Sequence, residues 1–130
     1  MISSTQRFSI DNAATLISCG IDIENSDRFK KWVGAFPTFI YSESEIKQFL
    51  KLDNPQEIMS ASFSLKEALF KAVQKPYNFP ECELLEFSTD ELLELNFSDT
   101  FKEEYQISFA NYTIKKSGFN EIIVTLFLFR

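Results

Sequence analysis

One stretch, bounded by Pro55 and Pro76, constrains the fold of this chain more than any other. Between the two prolines Leu65, Ala68, Leu69, Ala72 and Val73 recur at three- and four-residue intervals, which lays them along one stripe of an α-helix. Proline lacks the amide hydrogen that a helix interior needs, so the predicted helix runs from about Pro55 or Gln56 to Gln74 and stops before Pro76. Its stripe has to be buried against something, and the flanks supply strands. Ala14 to Ile23 is apolar and β-branched; after the helix, Glu83 to Ser88, Leu92 to Phe97, Glu104 to Thr113 and Glu121 to Phe129 read as strands. The last two are expected to form a hairpin around Lys115-Lys116-Ser117-Gly118. Two shorter helices are predicted before the long one. The first is capped by Ser26, carries Arg28, Phe29, Trp32, Val33 and Phe36, and ends at Pro37; the second opens on the capping box of Ser42 and Glu45 and carries Ile46, Phe49 and Leu50. A strand, three helices and then several strands make an α+β chain.

With 130 residues the chain is expected to form one domain, 1–130, in which residues 1–13 are a loose arm or short edge element. A hydrophobic share of 45% with 15 Phe is enough to build its core. The net charge of -6 argues against nonspecific binding to nucleic acid or anionic membrane. There is no histidine, which excludes a Ser-His triad, and Cys19 and Cys82 fit no zinc spacing. They read as buried free thiols in a reducing compartment; with no basic-then-apolar leader in residues 1–14, a cytoplasmic protein is expected. Ile122 to Phe129 is too short to cross a bilayer and has the content of a strand buried on both faces, at a subunit interface or in an ordinary core.

Chemistry concentrates in two places. Asp22 and Glu24 alternate at the end of the first strand and so point to one side; Glu67 and Lys71 are four apart on the long helix and share a face. Where strand end and helix face meet, three carboxylates and one ammonium form an oxygen cage suited to Mg²⁺ holding a phosphate. By spacing alone, Glu67 and Lys71 are equally an ordinary solvated ion pair.

Gly20-Ile21-Asp22-Ile23-Glu24 followed by Arg28-Phe29, and Phe63-Ser64-Leu65-Lys66-Glu67-Ala68-Leu69-Phe70-Lys71, resemble in order and separation the two signatures of the 4'-phosphopantetheinyl transferases. Chain length resembles the small, holo-acyl-carrier-protein synthase-like branch. The resemblance implies a single lobe with three helices packed on a mainly antiparallel sheet, assembled as a homo-oligomer, a trimer with sites between subunits. It implies transfer of the 4'-phosphopantetheine arm of coenzyme A to a serine of an acyl or peptidyl carrier protein, dependent on Mg²⁺ and releasing 3',5'-ADP. Asp22, Glu67 and Lys71 would be catalytic. Asp22, Glu67 and Glu24 would hold the metal; Lys66, Lys71, Lys75 and Ser108 would contact coenzyme A; Arg28, Lys30 and Lys31 would meet the carrier. Two features depart from the pattern. The histidine-containing segment before the final strand is replaced by residues 106–112, which keep only Ser108, and the glycine-containing loop after the second signature is replaced by residues 73–77, where Lys75 is the remaining phosphate contact. A noncatalytic carrier-binding or assembly module is the alternative these departures support.

Overall fold

The computed structural model describes residues 4–6, 15–86 and 93–130. Its order is β1 (Ser4–Gln6), β2 (Leu16–Asn25), a 3-10 helix (Ser26–Trp32), α1 (Glu43–Leu50), α2 (Gln56–Val73), a short 3-10 turn (Phe79–Glu81), β3 (Cys82–Glu86), β4 (Leu93–Phe97), α3 (Asp99–Tyr105), β5 (Phe109–Ser117) and β6 (Glu121–Phe129). The four-stranded sheet runs β1-β5-β6-β2, antiparallel throughout, and β3 pairs antiparallel with β4 in a second sheet. This is the expected α+β arrangement of helices on a mainly antiparallel sheet.

Helix α2 is the centre of the molecule. Leu65, Ala68, Leu69 and Ala72 are buried as the stripe requires, but so are Met59, Ser60, Ala61, Ser62, Ser64 and Lys66. The helix is covered nearly all round: β2 and β6 pack on one side, the 3-10 helix and β3 on others. Its serines let neighbours approach closely and supply hydroxyls to buried carboxylates, Ser62 to Glu45 and Ser64 to Asp22. It stops where Gln74 turns left-handed (φ 59°) and its amide donates to Phe70 O, two residues ahead of Pro76. The capping box of α1 forms as expected, Glu45 N donating to Ser42 Oγ at 3.1 Å and Ser42 N to Glu45 Oε1 at 3.0 Å.

Five expectations are corrected. The segment after Asn25 is a 3-10 helix ending at Trp32, capped by Asn25 rather than Ser26, and Gly34 at φ 86° turns the chain before Phe36. Phe29 and Trp32, three apart, satisfy a three-residue turn as well as an α-helix, and both pack on Phe63. Residues assigned to a strand from Glu104 begin instead in α3, capped by Ser98, and β5 starts only at Phe109 after the left-handed Gln106. The hairpin turn is accordingly tighter, Gly118 to Asn120. Strand β6 alternates between a buried face and a half-exposed one and is not covered on both sides among the described residues. Cys82 is buried but Cys19 is exposed. The predicted strand starting at Leu92 is described from Leu93, and of the predicted arm only β1, an edge strand, lies within the described residues.

Candidate functional site

Gly20, Asp22 and Glu24 lie on the face of β2 turned to α2, and the first of them sets the distance. A Cβ at Gly20 would lie 2.0 Å from the Ala68 carbonyl oxygen, so only glycine lets the strand come this close to the helix. Ser18 Oγ donates to Ala72 O at 2.6 Å and fastens the same contact one step along. The approach brings Asp22 onto the polar side of α2. Lys71 Nζ donates to Asp22 Oδ1 at 2.9 Å and to the Ile21 carbonyl at 3.0 Å, while Ser64 Oγ donates to Asp22 Oδ2 at 3.0 Å. Asp22 is buried and Lys71 half exposed, so the ammonium faces outward over the carboxylate.

Glu24, two residues on, is buried beside Asp22 and takes Arg28 Nη1 on its Oε2 at 2.9 Å. Burial and then the neighbouring Asp22 push its carboxyl up to about 7, against the pull of Arg28. Glu67 is raised for the same two reasons, burial first and Asp22 second, with Lys71 opposing. Three carboxylates thus feel one another with two cations beside them, and burial together with the surplus negative charge holds two of them protonated above the usual carboxylate range.

This trio is not the closed cage expected from the sequence: among the described residues no three Asp, Glu, Cys or His side chains gather around one point to hold a metal. The donor chemistry still fits Mg²⁺. That ion takes one or two carboxylates and completes its shell with water and phosphate oxygens, and it relieves surplus negative charge.

Lys66 does not reach the site. Adjacent helical positions diverge by about 100°, so Lys66 points away from Glu67 into the interior. It is fully buried; its ammonium meets Glu45 Oε1 at 2.9 Å and the carbonyls of Phe79 and Cys82. Glu45 also accepts from Ser62 Oγ and Leu84 N. A saturated buried ammonium cannot contact a coenzyme, and Lys66 is a structural residue joining α1, α2 and β3. The partner of this pair, Glu45, was legible only as a capping residue.

Lys75 and Ser108 lie apart from Asp22 within the chain. Lys75 follows the left-handed cap of α2 and lines a groove of about 420 Å³ with Ser18, Gln106 and Arg130. Ser108 is exposed, and its amide donates to Phe129 O, whereas Asp22 sits opposite Val124 on the same strand. Those positions differ by about 17 Å of strand length. The predicted carrier-facing residues are exposed on the 3-10 helix: Arg28 bound to Glu24, Lys30 to Asp27 at 3.3 Å, and Lys31 5.3 Å above the Trp32 ring. Arg28 therefore connects that surface directly to the carboxylates.

Known proteins share this fold. A holo-[acyl-carrier-protein] synthase of Natranaerobius thermophilus is 38% identical over 61 residues, 44% of this chain and 49% of the relative, so the chain spans about half the length of that curated relative. Crystal structures carry the same architecture: the holo-[acyl-carrier-protein] synthase of Neisseria meningitidis (TM-score 0.72, 20% identity, 88% of this chain and 98% of that one), and that of Helicobacter pylori in complex with coenzyme A (0.67, 23%, 85% and 98%). The enzyme of Bacillus anthracis in complex with CoA (3',5'-ADP) superposes with TM-score 0.69 at 21% identity over 88% of this chain and 96% of that one. The family description of the 4'-phosphopantetheinyl transferase superfamily matches residues 18–124, a span that holds Gly20, Asp22, Glu24, Glu67 and Lys71 together, and the chain belongs to that superfamily.

Proposed function

We propose that this chain is a holo-[acyl-carrier-protein] synthase that transfers 4'-phosphopantetheine from coenzyme A to a serine of an acyl or peptidyl carrier protein, with Mg²⁺. The observation that carries the reading is Asp22 clamped between Lys71 and Ser64 in a chain of this superfamily, with Glu24 and Glu67 at its side. Asp22 and Glu67, with Glu24 behind them, would hold the metal. Bound there, Mg²⁺ supplies positive charge to the pyrophosphate oxygens of coenzyme A. Lys71, half exposed, faces the same phosphates and neutralises charge as it builds. The carrier serine oxygen forms a bond to the β-phosphorus, the bridging P–O bond breaks, and 3',5'-ADP leaves with the electron pair. In this reading the serine proton passes to Glu67, whose carboxylate is made more basic than usual by burial and the neighbouring Asp22.

A homo-trimer completes the reading. The face of the large sheet turned from α2 exposes Ile21 (53%), Ile23 (54%) and Phe127 (38%). Beside Phe127, across the β5–β6 ladder, Asn111 Oδ1 is buried with no partner among the described residues. An apolar face with an unsatisfied acceptor is the signature of a surface covered in the assembly. In this reading Ser108 and Lys75 serve the site of a second copy, since within one chain they lie apart from Asp22.

The test is intact-mass analysis of a panel of apo carriers with coenzyme A and Mg²⁺, with and without chelator. A gain of one phosphopantetheine arm, lost with chelator, is expected. Coenzyme binding without any gain across the panel would instead identify the noncatalytic module that the missing histidine segment suggests.

A further inference from the structure

The tip of the β5–β6 hairpin carries a side chain that the fold does not use. Phe119 is 90% exposed, flanked by Gly118 and Asn120, both with positive φ (40° and 61°). The turn is held by hydrogen bonds on both of its sides. Asn120 N donates to Gly118 O at 2.7 Å, Ser26 N donates to Asn120 O at 2.8 Å, and Asn120 Nδ2 donates to Asp27 Oδ2 at 3.2 Å. The tip is thus pinned to the first turn of the 3-10 helix, the element whose outward residues are Arg28, Lys30 and Lys31. Asp27, the acid of that turn, is taken up by Asn120 and Lys30.

We propose that Phe119 is the apolar anchor of a docking surface whose cations are Arg28, Lys30 and Lys31, and that its occupant is the carrier protein; this rests on the function proposed above. Arg28 and Lys30 are each paired with an acid, Glu24 and Asp27, and Lys31 lies over the Trp32 ring, so this turn gathers three cations against two carboxyls in a chain that is acidic overall, a local excess of positive charge complementary to an acidic partner. Charge steers such a partner but leaves affinity modest, and a few aromatic and arginine side chains buried at the centre of an interface usually supply the rest. Presented from a turn already locked by three hydrogen bonds, Phe119 enters a cleft on the carrier with little ordering to be done. Among the described residues nothing in the packing is gained by a phenylalanine there.

Phe119→Ala is predicted to raise the KM for apo carrier about ten-fold while leaving the KM for coenzyme A and the melting temperature where they are. Phe119→Trp is predicted to restore the carrier KM. A carrier KM for Phe119→Ala within about two-fold of wild type overturns the inference. Should the wild-type chain modify no carrier, direct titration of apo carrier decides separately: about ten-fold weaker binding by Phe119→Ala supports the docking surface, and equal binding or none by wild type overturns it.

Discussion

Asp22 receives two donors, so its role is separable from stability. Asp22→Asn keeps the shape while losing the charge: with its amide oxygen toward Lys71, its amide nitrogen can donate to the Ser64 hydroxyl. Turnover should fall by about a hundred-fold or more, equivalent to ~2.7 kcal/mol of transition-state stabilisation, with the chain still folded by circular dichroism. Glu24 carries a pH signature. Its folded carboxyl titrates at about 7 against an ordinary 4.5, so between those values the folded chain holds a proton that the unfolded chain has released. Stability therefore falls as pH rises from about 4.5 to about 7. Glu67, raised in the same direction, adds to the slope. Urea denaturation of the metal-free chain across this window should show the decline, and Glu24→Gln should flatten it.

Between elements, contact depends on two unusual accommodations around α2. Gly20 lets β2 approach it, and Gly20→Ala has to push strand and helix apart against a backbone carbonyl. A loss of about 1–3 kcal/mol is expected in urea denaturation, with metal and coenzyme binding weakened as Asp22 withdraws from Lys71. On the opposite side the Glu45–Lys66 pair ties α1 and β3 to the helix. Lys66→Ala leaves Glu45 charged and unpaired in the interior, a cost of about 3–5 kcal/mol, whereas Lys66→Met combined with Glu45→Gln should recover part of it. Direct loss of a coenzyme contact would instead lower activity with stability unchanged. The motif Lys66-Glu67 thus divides its labour: one residue builds the helix's surroundings and the next one faces Asp22 and Glu24.

At the scale of the whole molecule, the large sheet has one face committed to α2 and another still apolar. Light scattering should give a mass three times the 15.1 kDa of one chain. Ile21→Glu combined with Phe127→Glu should dissociate the assembly, and, because Ser108 is about 17 Å of strand from Asp22 within one chain, should lower activity as well.

Much of this was legible in the sequence because it depends on local spacing. The 3.6-residue period of α2, the capping box of α1, and the one-sided placement of Asp22 with Glu24 and of Glu67 with Lys71 are set within a few residues of one another. Elements without a long period are not legible in the same way: α3 has only seven residues, and Phe101 with Tyr105, one turn apart, make too short a stripe to set against the strand residues that follow. The tertiary structure alone decided that Lys66 is interior, because its partner Glu45 lies 21 residues earlier on another helix. It alone decided that Ser108 is distant from Asp22, since strand register fixes that separation, and that the Phe119 turn is pinned to the helix that carries Arg28. A sequence records which residues lie near one another along the chain; which distant groups neutralise, crowd or neighbour each other is settled only when helix and sheet close on a common core.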